Sequence, residues 1–391
     1  MPQIGMCGTF DVENYGDVLF PLIAERELTD RLGSVNLQRF SYFEKAPPRW
    51  PYKVTSLAEL PKIAASLDGM IIGGGHLIRF DKHIAPGYQP PLPDIHHPTG
   101  YWLNPALLAL HHGCPVVWNA PGAYGEVPHW ARPLMELAIK FSAYVAVRDE
   151  PARQMLAPFA NARDIAVVPD TCFGIPSIVD PKRPSQDFST FRQSLNILDP
   201  YLVIQATGGL DAFVRLVREH ADRFAGYRLV SLRMGPILGD DDNVLRDVPG
   251  LIQLPGWPHP LVMAELIAGA KGAVGVSLHL AITALAFGVP VFRPKNACTG
   301  KYAILAGHAR VFWFDDEAEI DADWFLTRLG KRPVDSELFT IAGALNTHWD
   351  RVASCIRKVP LSANVSLPLC WKRSPLPVSY THLTLPTKRI V

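Results

Sequence analysis

The chain has no surplus charge of either sign: its 391 residues carry 38 lysines and arginines against 37 aspartates and glutamates. That balance excludes the basic field that gathers nucleic acid and the acidic excess that keeps a chain unfolded. A charged ligand must therefore be held by local groups. Cysteine is scarce and scattered, at Cys7, Cys114, Cys172, Cys298, Cys355 and Cys370, with no CxxC pair. Neither a disulfide framework nor a metal-ligand spacing is present, so no metal site is expected and a reducing compartment fits. The start, MPQIGMCGTFDVENYGD, lacks a basic segment followed by a long apolar one, because Asp11, Glu13 and Asp17 arrive too early. Export is not expected, and the cytoplasm is the expected location. Dinucleotide and nucleotide-triphosphate loops are missing too: IIGGGHLI and ATGG match neither GxGxxG nor a Walker loop.

What is present is apolar, at 48% hydrophobic residues and 19% charged. A chain of this size and composition can bury a large core and exceeds the usual single domain. The stretch VSLHLAITALAFGVPVF, Val276 to Phe292, nears membrane-helix length, but its punctuation divides it. Val274 to Leu278 reads as a strand, Ala281 to Phe287 as a helix stopped by Gly288, and VPVF as another strand opened by Pro290. YLVIQATGG, the helix 211–224, YRLVSLRMG, LIQLPG and the helix 260–270 continue this βα rhythm, and the first half repeats it from PQIGMCGTF to DIAVVPD.

The expectation is an α/β chain of two Rossmann-like, doubly wound domains facing each other across a cleft. Residues 1–175 form the first, with an insert at 79–102, and 189–365 the second. The proline-rich stretch Gly174 to Phe188 lies between them. Residues 372–391, threonine- and proline-rich without a helical stripe, read as a non-native tail.

Four places can carry chemistry. In ENYGD, Asn14 and Gly16 suit a tight turn and Asp17 an N-cap, which alone would explain the aspartate. The loop also follows a parallel strand, where open α/β sheets bind ligands. Gly73, Gly74 and Gly75 either make a sharp turn or let backbone amides at a helix start approach an anion. Arg148 ends a strand before the proline-opened helix at Pro151; it either pairs with Asp149 or Asp170 or points into the cleft. His279 is a core histidine or, because it stands where a strand turns into a helix, a group projecting over the sheet's carboxyl edge.

Taken together, NYGD, GGGHLI, VRDEPA, VVPD and SLHLAITALAFGVPV resemble, in order and spacing, the polysaccharide pyruvyl transferases, from Met1 to about Phe314. The resemblance implies a fold like that of GT-B glycosyltransferases. It also implies transfer of a pyruvyl group from phosphoenolpyruvate to sugar hydroxyls as a ketal, with release of phosphate. Phosphoenolpyruvate would be a co-substrate and no separate cofactor is implied. The acceptor would be a glycan or a lipid-linked saccharide of exopolysaccharide biosynthesis, the latter bringing the enzyme against the inner membrane face.

Carried onto this chain, the resemblance makes His279 the catalytic proton carrier. It places the family's strand-end arginine on Arg148, and Asn14, Gly16, Asp17, Gly73, Gly74, Gly75, Ser277, Arg293 and Lys295 are expected to bind substrate beside it. Many members read RLH where this chain reads Ser277-Leu278-His279, and a SLH version also occurs. A cation from Arg233, Arg293, Lys295 or Lys301 would then supply the missing charge. The insert offers Tyr88, Tyr101 and Trp102 as flat faces for an acceptor sugar, with His83, His96 and His97 as hydrogen-bonding groups. Two other readings stay open: a nucleotide-sugar glycosyltransferase of the same architecture, although 281–287 lacks an acid for a donor ribose, and a non-catalytic sugar-binding relative.

Overall fold

The computed structural model describes residues 1–81, 98–160, 164–298, 300–330 and 336–357. Among these residues, fifteen strands alternate with helices. They are β1 (Gln3–Cys7), β2 (Asn36–Ser41), β3 (Val54–Ser56), β4 (Gly69–Ile72), β5 (Ile78–Arg79), β6 (Val116–Trp118), β7 (Ala123–Tyr124), β8 (Tyr144–Val147), β9 (Ile165–Val167), β10 (Tyr201–Gln205), β11 (Arg228–Leu232), β12 (Leu251–Ile252), β13 (Gly272–Val274), β14 (Val291–Pro294) and β15 (Val311–Phe314). Central strands such as β4, β8 and β10 are buried along their whole length, as sheets covered by helices on both faces require.

Two parallel sheets result, in the order β3-β2-β1-β4-β6-β8-β9 and β12-β11-β10-β13-β14-β15, with β5 and β7 as a separate parallel pair. The fold is thus the expected one, two Rossmann-like domains facing across a cleft in a GT-B-like arrangement. In each sheet the winding reverses beside the domain's first strand, between β1 and β4 and between β10 and β13. Open parallel sheets leave a crevice at the carboxyl ends of such strands, and here two crevices confront one another.

Three local expectations shift. The helix expected from Asp17 runs Tyr15–Leu32, so Asp17 lies in its first turn rather than at its cap. The strand expected at Val274 to Leu278 ends at Val274. The helix after it starts at Leu278, because the Ser277 hydroxyl accepts the Leu280 amide and caps it. The triple-glycine turn leads not into a helix but to β5, so no helix amides gather there.

Ends and seams also matter. The 3-10 segment Thr171–Ser177, at the expected boundary, buries Cys172, Phe173 and Ile175 and packs against both Tyr15–Leu32 and Leu278–Ala286. The Tyr15 amide donates to the Met234 carbonyl at 2.8 Å and its hydroxyl meets Thr283 at 3.0 Å, so the start of the first helix is tied to the second domain. The last helix, Ser336–Arg357, was expected with the second domain but packs on the first. Its buried face of Leu345, Trp349, Val352 and Ile356 lies there, and His348 bonds Tyr144 at 3.1 Å and Asn119 at 3.0 Å. Residues 372–391 lie outside the described residues. No helix among the described residues is long and apolar enough to cross a membrane.

Candidate functional site

A cavity of about 290 Å³ opens where the two crevices meet. From the first domain it takes Thr9, Asn14 and Asp17 after β1, His76 after β4 and Arg148 after β8; from the second, Gln205 at the end of β10 and Thr207 after it, Ser277 and His279 after β13, and Lys301 after β14. Each ends or follows a parallel strand, so the sheet topology assembles residues that are far apart in sequence.

Asp170 organises the floor. Its Oδ1 accepts the Cys172 amide at 3.0 Å and caps Thr171–Ser177. Its Oδ2, buried and without a hydrogen bond, lies 3.6 Å from Arg148 Nη1 and 3.9 Å from His279 Nε2. Arg148, 4% exposed, donates through Nε to Asp149 at 3.3 Å and through Nη2 to His76 Nδ1 at 2.8 Å. Because a guanidinium only donates, His76 must carry its proton on Nε2. A Cβ on Gly122 would lie 2.5 Å from Arg148 Nε, so a glycine leaves the space that the guanidinium fills.

His279 stands second in its helix, with its ring edge-on to Phe20 at 5.6 Å. A Cβ on Gly16 would sit 1.9 Å from Nδ1, so Gly16 serves the histidine by its lack of a side chain. Burial lowers the imidazole pKa to about 4, Asp170 working against the fall and Arg148 and Lys301 adding to it. The ring is therefore uncharged at neutral pH. His76 is pushed down to about 3 by burial and then by Arg148 and Lys301.

Asp17 moves the other way. Burial raises it to about 7, against the lowering influence of a Thr9 hydrogen bond, Lys301 and Arg148, while Asp170 adds to the rise. Asn14 Nδ2 donates to its Oδ2 at 2.9 Å, and a Cβ on Gly75 would stand 2.9 Å from its Oδ1. On the opposite wall Gln205 accepts the amides of Val276 at 2.9 Å and Ser277 at 2.7 Å and donates to both oxygens of Asp240 at 3.0 and 3.1 Å.

The substrate-binding set divides. Asn14, Asp17, Arg148 and Ser277 line the cavity with His279, whereas Gly16, Gly73, Gly74, Gly75, Arg293 and Lys295 do not. All three glycines of the turn have positive φ, at 93°, 109° and 73°. A Cβ on Gly74 would strike the Phe20 ring at 2.3 Å, so this turn is shaped by packing against the first helix. Arg293 is fully buried behind the site, donating to the carbonyls of Ser277 at 2.8 Å and Val276 at 2.6 Å. Burial lowers it to about 10. Lys295 is exposed outside the wall. Of the four cations considered for the place left by Ser277, Lys301 alone lines the cavity.

Tyr101 and Trp102 are buried rather than displayed, though Tyr101 reaches the cavity wall; Tyr88, His83, His96 and His97 lie outside the described residues. The exposed ring near the mouth is Tyr124, under the Arg79 guanidinium at 5.6 Å and beside His76 at 5.8 Å. Sequence reasoning missed His76, although GGGHLI contains it, and Gln205, Thr207 and Asp240, which no motif marks.

Asp170, Cys172 and His279 bring a carboxylate, a thiol and a ring nitrogen within 4.8 Å of one another. A cation there would meet Arg148 beside the same carboxylate oxygen. Burial keeps the Cys172 thiol protonated, and it donates to the Gly16 carbonyl at 3.8 Å.

A family model described as polysaccharide pyruvyl transferase matches residues 14–293. No curated relative matches in sequence. Among solved structures, the UDP-GlcNAc 2-epimerase from Methanocaldococcus jannaschii is 12% identical, with a TM-score of 0.58 over 90% of this chain and 99% of that one. The UDP-GlcNAc 2-epimerase from Neisseria meningitidis, bound to UDP-GlcNAc, is 12% identical, with a TM-score of 0.53 over 90% and 94%. At such identity the likeness concerns the fold.

Proposed function

Since the chain belongs to the polysaccharide pyruvyl transferase family, we propose that it moves the pyruvyl group of phosphoenolpyruvate onto two hydroxyls of a glycan or lipid-linked saccharide as a ketal, releasing phosphate. The observation that carries the reading is the grouping of His279 with the cations Arg148 and Lys301 in one small cavity between the domains. The donor's two anionic groups need two points of positive charge, which these cations supply. The open amides at the start of Leu278–Ala286 add a third attraction. His279 takes a proton from an attacking hydroxyl. With Nε2 turned to Asp170, Nδ1 is the nitrogen free to accept it, and the Asp170 carboxylate then steadies the imidazolium.

A nucleotide-sugar donor has less support, because LHLAITALA, residues 278–286, carries no acidic side chain to hold a ribose. The test is phosphate release from phosphoenolpyruvate with p-nitrophenyl hexosides as acceptors. The wild type should release phosphate, and His279→Gln should lose roughly 100- to 10,000-fold in kcat. A folded His279→Gln protein with undiminished release would refute the histidine's role. A wild type that binds a nucleotide sugar but not phosphoenolpyruvate would refute the reaction.

A further inference from the structure

Pyruvyl transfer needs one proton delivered to the methylene carbon of the donor and others removed from the acceptor hydroxyls. The uncharged imidazole of His279 is suited to removal only. Another group must deliver, and the cavity wall offers few. Asp240 accepts the amides of Met234 at 2.7 Å and Gly235 at 3.0 Å as well as the Gln205 side chain, so its oxygens are occupied as acceptors. His76 is bound to Arg148 through Nδ1 and resists gaining charge beside it. Tyr101 is a buried phenol held far from ionisation.

Asp17 differs in place and surroundings. It projects into the cavity from the first turn of Tyr15–Leu32, one residue beyond the Gly16 that touches the His279 ring. Asn14 and Thr9 fix it, and the same three charged groups, Arg148, Lys301 and Asp170, act on both it and His279. Tyr52, Tyr101 and the protonated Cys172 thiol are further ionisable neighbours among the described residues. Both side chains therefore line the same cavity and stand under the same charges.

We propose that Asp17 is the catalytic acid of the site, giving its proton to the methylene carbon of phosphoenolpyruvate while His279 receives that of the first acceptor hydroxyl. The inference rests on the pyruvyl-transfer reading. As C3 takes the Asp17 proton, the first sugar oxygen bonds to C2 and its proton passes to His279. The C2–O bond to phosphate then breaks, and phosphate carries off the proton from His279. The second sugar oxygen bonds to C2 and returns its proton to Asp17, so both groups end as they began. The carboxyl's elevation to about 7 keeps part of it protonated under neutral conditions.

Asp17→Asn keeps the shape and can still accept from Asn14. It should bind phosphoenolpyruvate within threefold of wild type by calorimetry, yet lose roughly 100- to 10,000-fold in phosphate release with p-nitrophenyl hexosides. Asp17→Glu, which keeps the acid, should recover part of the loss. An Asp17→Asn protein turning over within tenfold of wild type, or losing donor binding as fully as turnover, overturns the assignment while leaving the transfer reading intact. If the variant does not fold, the wild-type pH profile decides: kcat should fall as pH rises through about 7, and a flat profile there overturns it. A wild type that neither binds phosphoenolpyruvate nor releases phosphate removes both readings together.

Discussion

Replacing Gly16 by alanine tests whether the first helix was shaped around His279. In an ordinary helix the change is favourable, by about 0.5–1 kcal/mol, because alanine has less backbone freedom to lose. Here the new Cβ would stand 1.9 Å from Nδ1 and 2.2 Å from Cε1 and Cγ, where ordinary contact begins at 3.4 Å. The ring must retreat by about 1.5 Å, the difference between 3.4 and 1.9 Å, but Phe20 and Asp170 bound it on other sides. Overpacking of this kind costs about 1–3 kcal/mol, so the penalty outweighs the helical gain and a net loss of about 1–2 kcal/mol is expected in urea unfolding. A displacement beyond an ångström should also cost roughly 100-fold in turnover. In the His279→Ala background the obstacle is gone, and Gly16→Ala should become neutral or stabilising, giving a coupling of about 1–3 kcal/mol in the double-mutant cycle. A Gly16→Ala protein as stable and active as wild type, or a cycle without coupling, would refute the packing argument.

Arg293→Met should destabilise by about 2–4 kcal/mol in urea unfolding, because two buried carbonyls lose charged donors, while calorimetry finds donor affinity of the folded protein changed less than threefold. Lys301→Met should do the reverse, weakening phosphoenolpyruvate binding about tenfold or more with little effect on unfolding. His76, His279 and His348 are held uncharged, at about 3, 4 and 3 against an ordinary 6.5. The unfolded chain therefore binds more protons between those limits, and stability that is full above pH 6.5 should decline towards pH 4, by about 1.4 kcal/mol per unit for each histidine. Asp17, raised to about 7, opposes one of the three over the same window. Urea midpoints from pH 7 to 4.5 should show a net fall that is shallower in His348→Gln.

The architecture was legible because parallel sheets leave a coarse mark: apolar runs such as YLVIQ and YVAV, separated by amphipathic helices and glycine stops. Arg148, Asp17 and His279 were legible as strand-end residues, and both crevices put strand ends in the wall. Their mutual arrangement was not. That Asp170 lies between Arg148 and His279 depends on how two domains and the segment Thr171–Ser177 close on one another. Gly16 and the triple glycine looked like ligand loops because a glycine needed for packing and one needed for a ligand leave the same letter. Arg293 misled for a related reason. It follows a strand at the correct edge, yet it turns beneath the site and binds the backbone that carries Ser277, an orientation that sequence does not encode. The last helix crossed back because its apolar face, with Trp349 and Ile356, packs on the first domain's helix Tyr15–Leu32 and strand β8.

Ser277 brings these strands of argument to one position. Its hydroxyl caps Leu278–Ala286, and a side chain without an acceptor there would leave the Leu280 amide open at a cost of about 1 kcal/mol. The RLH pattern that the resemblance associates with this place gains a cation and forgoes that cap. In this chain Lys301 already supplies a second cation to the cavity beside Arg148. If the two arrangements are interchangeable in charge, Ser277→Arg should lower stability by about 1 kcal/mol in urea unfolding and restore much of the phosphoenolpyruvate affinity lost in Lys301→Met, since an ionic contact to the donor is roughly a tenfold effect. Calorimetric titration of wild type, both single variants and the double variant measures that coupling directly. A double variant no tighter than Lys301→Met alone, with the wild type binding the donor, would show that the charge at Lys301 cannot be supplied from position 277.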